Sequence, residues 1–144
     1  MANDNIGGKM LLLAFIIIIL LIICNKSQLK SGFVGGGGSV LELNPSNYDN
    51  TVNGDYLIMV KFMAPWCGYC TKIEGPWKDL AKAYEGDDSV VIAEVNADMH
   101  KELASKANVG GYPTIMTYKN GKCLGKYQGE RTVPSWKAHI NANK

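Results

Sequence analysis

Cysteine is scarce in this chain. Its 144 residues hold four, Cys24, Cys67, Cys70 and Cys123, and only Cys67 and Cys70 lie close together. A small disulfide-stapled scaffold is denser in cysteine, so the count points to redox chemistry and away from stapling. Histidine is scarcer still. His100 and His139 stand far apart, and there is no second close Cys or His pair, so no metal site is expected. Charge of one sign is also lacking: the formal net charge is +2 and the lysines are scattered, which excludes a nucleic-acid partner. No internal repeat is present.

What is present begins with one apolar run. Met10 to Cys24 is fifteen apolar residues without a break, bracketed by Lys9 and Lys26. As a helix it covers roughly 22 Å, short of the ~30 Å hydrocarbon core. Snorkelling lysine stems and a locally thinned bilayer close that gap. A cleaved signal peptide would end in small residues, whereas this run ends Ile22-Ile23-Cys24-Asn25-Lys26. A buried core helix would need cover on every face, and no other segment supplies it. Residues 10–24 therefore read as a single-pass transmembrane signal-anchor behind a short tail at 1–9. The side of the membrane stays open. One lysine before the span and two soon after it, Lys26 and Lys30, lean toward a cytoplasmic domain. Disulfide chemistry leans instead toward a secretory lumen or another extracytoplasmic face, a virion membrane included.

Residues 25–39 are polar and glycine-rich, ending Gly35-Gly36-Gly37-Gly38-Ser39, and read as a flexible linker. A single domain is expected over 40–144. Val40 to Leu43 reads as a short strand, and Asn44-Pro45 as the opening of a short helix. Tyr56 to Met63 is nearly continuous apolar sequence, as a strand buried on both faces should be. Ile73, Trp77, Leu80, Ala81 and Tyr84 recur at helical spacing, so a helix is expected from about Cys67 to Glu85. A strand at Val90–Asn96 and a helix at His100–Ala107 follow. Asn120-Gly121 then joins strands at Thr114–Lys119 and Lys122–Tyr127 into a hairpin. A last helix covers about Val133 to Ala142. The order βαβαβαββα predicts an α/β fold, a mixed central sheet flanked by helices on both faces.

The chemistry lies in Cys67-Gly68-Tyr69-Cys70. With Cys67 between a strand end and a helix start, its sulfur sits over unsatisfied backbone N–H groups and the positive end of the helix dipole. Both favour the thiolate, which is the nucleophile. Cys70, one turn on, is close enough to close a small disulfide ring. Cys67 would attack a substrate disulfide and Cys70 would resolve the mixed disulfide, with no cofactor.

Two segments, about forty residues apart, carry a resemblance: Ala64-Pro65-Trp66-Cys67-Gly68-Tyr69-Cys70 and Gly111-Tyr112-Pro113-Thr114. From Val40 to about Asn141 the chain resembles the thioredoxin domain of the protein disulfide isomerase family. The resemblance implies a thioredoxin fold, with Cys67 the attacking and Cys70 the resolving cysteine. It implies a cis-proline at Pro113 that presents the backbone of Tyr112 to a substrate strand. Trp66 would pack at the edge of the site and, with Gly68, Tyr69, Tyr112 and Pro113, form the substrate-binding surface. Arg131 matches an arginine that in such proteins swings in to lower the resolving cysteine's pKa. Protein thiols and disulfides are the implied substrates, with a further redox partner needed to recycle the disulfide.

Three departures from the family pattern stand out. Lys61 holds the place of a buried acid and Glu94 that of its lysine, so the pair looks charge-swapped; a proton relay from Cys70 through Lys61 and Glu94 competes with two side chains that simply reach the surface. Tyr69 stands where histidine or proline is usual. Tyrosine carries no charge near neutrality, so Cys67 should be less acidic and the disulfide less strongly oxidising. Gly75 holds the place of the helix proline, with Pro76 following. The sequence thus predicts a membrane-anchored thiol–disulfide oxidoreductase or isomerase, with two alternatives: a thioredoxin-like reductase, or a non-catalytic structural module of a membrane or virion assembly.

Overall fold

The computed structural model of the chain describes residues 11–19 and 38–144. Residues 11–19 form a helix, α1, whose large side chains Leu11, Leu12, Leu13, Phe15 and Ile16 to Ile19 are all exposed. The span expected at 10–24 is therefore seen only in part. Met10 and residues 20–24, Cys24 among them, lie outside the described residues, as do the tail at 1–9 and all of the linker but Gly38 and Ser39. Among the described residues no helix is long and apolar enough to cross a membrane.

The domain itself runs β1 (Leu41–Leu43), α2 (Tyr48–Val52), β2 (Leu57–Met63), α3 (Gly68–Ala83), β3 (Val90–Asn96), α4 (Lys101–Lys106), β4 (Thr114–Lys119), β5 (Lys122–Lys126) and α5 (Val133–Asn143). The strands form one sheet in the order β1-β3-β2-β4-β5. β1, β3 and β2 are parallel, each joined to the next in sequence by a helix, while β4 and β5 run antiparallel. This is the mixed sheet that the alternation of periods predicts, and it is the thioredoxin arrangement.

β2 lies at the centre, and six of its seven residues are buried, which is why its sequence is apolar almost throughout. Its side chains alternate between two cores. Ile58, Val60 and Phe62 pack with Tyr48 and Val52 of α2 and Leu103 and Ala104 of α4. Leu57 and Met59 pack with Ile73, Trp77 and Leu80 of α3 and Trp136 and Ile140 of α5. By the same period of two, Lys61 points to the second side and is 1% exposed.

Two local differences from the sequence reading have clear causes. Helix α2 begins at Tyr48, not at Asn44. The Asn44 side-chain oxygen accepts from the Ser46 N–H and hydroxyl, and that of Asn47 accepts from the Asn44 N–H, so a tight polar turn occupies the place of the first helical turn. Helix α3 begins one residue late because Cys67 is its N-cap, and it runs unbroken past Pro76. The hairpin turn is as its sequence requires: Asn120 and Gly121 both have positive φ, 49° and 75°, the type I′ pattern that matches strand twist.

Candidate active site

The parallel strands all point their carboxyl ends to one rim of the sheet, the usual place for a site in such folds. There β2 gives way to Ala64-Pro65-Trp66, and the Cys67 N–H turns back to the Ala64 carbonyl at 3.0 Å. Cys67 is extended (φ −82°, ψ 104°), and its Sγ accepts the Cys70 N–H at 3.2 Å. A sulfur thus takes the capping position that a serine or aspartate oxygen would fill elsewhere. Cys67 and Cys70 form a disulfide across a Cα–Cα separation of 5.2 Å. They are 7% and 2% exposed and pack with Ala64, Met63 and Tyr112. When the bond is reduced, the N–H and the helix dipole lie against Cys67 and stabilise its thiolate over its thiol.

The second motif arrives from across the rim. The Tyr112–Pro113 bond is cis, as the resemblance implies, and the Thr114 hydroxyl donates to the Gly111 carbonyl at 2.8 Å. The Tyr112 ring meets Trp66 edge to face, centroids 6.0 Å apart. Among the described residues, neither the N–H nor the C=O of Tyr112 has a backbone partner. A Cβ placed on Gly68 would meet nothing within 4 Å beyond its own chain neighbours and helix backbone, so the space beside Gly68 is open. The structure therefore brings Trp66, Gly68, Tyr112 and Pro113 together about the cysteines. Tyr69 is exposed beside them, and the Lys72 ammonium lies 5.1 Å from the centre of its ring.

Trp66 is 71% exposed, yet its indole N–H donates to the Asp98 carboxylate at 3.3 Å. Asp98 escapes sequence reasoning, because a lone acid in a loop after a strand carries no pattern. Lys72 escapes it too, although its spacing of three from Tyr69 along a helix is a readable signal.

Lys61 and Glu94 face one another across β2 and β3, their Nζ and Oε2 atoms 2.8 Å apart. The Lys61 ammonium also lies 5.7 Å from the centre of the Trp77 ring, so the pair meets under α3 and neither side chain departs alone to the surface. Arg131, between β5 and α5, reaches the loop before β4, Nη2 donating to the Pro113 carbonyl at 3.2 Å. Cys123 is a free, exposed thiol on β5.

The thioredoxin family's sequence model matches residues 39–142. The chain is 37% identical over 102 residues to protein disulfide-isomerase 5-1 of Arabidopsis thaliana, covering 70% of each chain. It is 43% identical over 107 residues to protein disulfide isomerase-like 2-2 of Oryza sativa subsp. japonica, covering 72% of this chain but 28% of that one. It therefore spans most of the first relative and under a third of the second. Among solved structures, the first thioredoxin domain of mouse protein disulfide-isomerase A4 superposes with a TM-score of 0.65 at 31% identity, covering 78% of this chain and 86% of that domain.

Proposed function

The chain belongs to the thioredoxin family, among the domains of protein disulfide isomerases, and from this we propose a membrane-held enzyme that reduces and reshuffles the disulfides of other proteins. The observation that carries its thiol–disulfide oxidoreductase activity is the Cys67–Cys70 disulfide at the start of α3, with Cys67 Sγ already accepting a backbone N–H.

In the dithiol form the Cys67 thiolate attacks one sulfur of a substrate disulfide. A Cys67–substrate bond forms, the substrate S–S bond breaks, and the second substrate sulfur leaves as a thiolate and is protonated by solvent. Cys70 then gives up its proton and attacks Cys67 Sγ. The Cys67–Cys70 bond forms and the first substrate sulfur is released, so the substrate gains two electrons and the enzyme loses two. Run backwards, the same steps oxidise a dithiol. If the substrate's own thiol attacks before Cys70 does, the substrate leaves rearranged. The proton from Cys70 passes to solvent by way of Glu94, which is 31% exposed while its partner Lys61 is sealed. An extended substrate segment pairs with the free main-chain groups of Tyr112, and its side chains rest on Trp66 and Tyr69.

Tyr69 cannot supply the charge of a histidine beside Cys67, which supports a disulfide tuned toward reduction and isomerisation. A separate redox partner recycles it. The exposed apolar side chains of α1, continuing a run bracketed by lysines, support an anchor at residues 10–24.

A Cys70→Ala variant tests the activity: it should accumulate mixed disulfides through Cys67 that vanish when Cys67→Ser is added. If none forms with proteins of the same membrane fraction, the enzymatic reading fails. Extraction at alkaline pH tests the anchor, which predicts that the chain stays with the bilayer.

A further inference from the structure

Pro113 sits where two strands part. β4 and β5 pair antiparallel with Met116 opposite Lys126, and the Tyr127 N–H still reaches the Ile115 carbonyl at 2.8 Å. In such a ladder the next rung falls two residues further along each strand, which would set the Gly129 N–H on the Pro113 carbonyl. That rung is not made. The Tyr127 hydroxyl instead bonds the Glu130 carbonyl at 2.9 Å and meets the Ser135 hydroxyl at 2.5 Å, folding the chain toward α5. The Arg131 guanidinium takes the vacated place, Nη2 3.2 Å from the Pro113 oxygen. Proline offers the ladder no N–H of its own. Among the described residues, then, Arg131 makes the one hydrogen bond to the Pro113 peptide.

The neighbouring contacts show what this bond controls. Thr114 ties the loop to Gly111, and the Tyr112 ring is set against Trp66, but both contacts come from the site's own two motifs. Among the described residues, Arg131 is what hydrogen-bonds the loop from the segment between β5 and α5. A charged donor on a carbonyl makes one of the stronger hydrogen bonds available, and a planar guanidinium fixes its direction as well as its distance.

We propose that Arg131 is a positioning residue for peptide substrates: by fixing the Pro113 carbonyl it holds the Tyr112 N–H and C=O ready to pair with the extended backbone on either side of a substrate disulfide. It selects substrates that carry such a backbone over small disulfides that do not. This rests on the oxidoreductase reading above, and it differs from an arginine that swings in to act on the thiol of Cys70.

The test uses the full chain, with reduced glutathione as electron source, a disulfide-bonded extended peptide as one substrate and a small aromatic disulfide as the other. For Arg131→Met, KM for the peptide should rise about tenfold with kcat within about twofold, the worth of one charge-assisted hydrogen bond. The ratio of kcat/KM for the peptide to that for the small disulfide should fall by the same factor. Arg131→Lys, which keeps a donor but not the fork, should recover part of the loss. Near-ultraviolet circular dichroism establishes that both variants are folded. An unchanged KM overturns the proposal. So does a fall in kcat accompanied by a shifted pH profile of Cys70 alkylation, because the arginine then acts on the thiol. If the unaltered chain reduces neither substrate, the oxidoreductase reading has failed instead.

Discussion

Lys61 and Glu94 are cross-strand neighbours whose side chains meet at 2.8 Å, one sealed at 1% exposure and the other open at 31%. The two partners are therefore not equivalent. Glu94→Ala leaves an ammonium buried against Trp77 with no counter-charge and should cost about 3 kcal/mol, whereas Lys61→Met fills the site with apolar volume, releases the carboxylate toward water, and should cost within about 1 kcal/mol. Urea unfolding near neutral pH measures both. As the route proposed for the Cys70 proton, the pair should also set the pH–rate profile of the resolving step, so Lys61→Met and Glu94→Gln should shift it; unchanged profiles reduce it to a structural pair.

Trp66 is fixed by its neighbours while remaining open to solvent, whereas Trp77 and Trp136 are fully buried. Quenching of fluorescence by iodide therefore reports on Trp66. Asp98→Ala removes the acceptor of its indole N–H. Stability should change by no more than about 0.5 kcal/mol, as for most surface substitutions. The quenchable fraction should lose anisotropy, and KM for a peptide disulfide should rise two- to threefold, roughly the worth of a weak exposed hydrogen bond. Unaltered anisotropy would show that Tyr112 alone holds the ring.

His139 carries a pH dependence remote from the cysteines. Burial holds its imidazole below the ordinary value of 6.5, and its Nε2 meets the Thr117 hydroxyl at 3.0 Å. The unfolded chain thus takes up a proton at higher pH than the folded one. The contribution is complete above about pH 6.5 and declines as the pH falls below it. His139→Gln should flatten the dependence of the urea midpoint on pH between neutrality and mild acid. An identical slope in the variant would assign it to other groups.

Asp87 behaves in the same sense, at lower pH. Its hydrogen bonds from Lys144, then from the Ser89 hydroxyl and N–H, hold its carboxyl down at about 2 from an ordinary 3.8. The stability this confers is present above pH 3.8 and is lost as the pH falls through about 2. The pair is largely open to water, so Lys144→Ala should cost less than about 1 kcal/mol at neutral pH. It should move the Asp87 carboxyl resonance toward an ordinary titration, as NMR would record.

Much of this is legible in the sequence. The period of two in β2 and the helical spacing of Ile73, Trp77 and Leu80 settle which elements form, because burial on one side leaves a mark in sequence. The pairing of Cys67 with Cys70 at a helix start follows from spacing. The opening of α2 did not follow, because Asn44 caps a turn as readily as a helix and its choice depends on where Ser46 and Asn47 fall. Lys61 alone reads as a break in an apolar run; the resemblance pairs it with Glu94, and the parallel register of β2 and β3 is what brings the two side chains together. Arg131 was matched by resemblance, but its grip on Pro113 depends on where β5 stops pairing, and a strand end is among the least readable features of a sequence.

β5 forms one edge of the sheet, with Lys122, Cys123, Leu124 and Lys126 all exposed and its register broken at Thr117/Tyr118, where Gly125 has a φ of +104°. An open edge is where an extended segment of another chain can add itself as a further strand. A strand arriving here finds a twisted rim with a positive charge at either end, and a second copy would bring lysine against lysine. The edge thereby carries its own guard against strand addition, whereas the Tyr112 backbone, unpaired among the described residues, carries none.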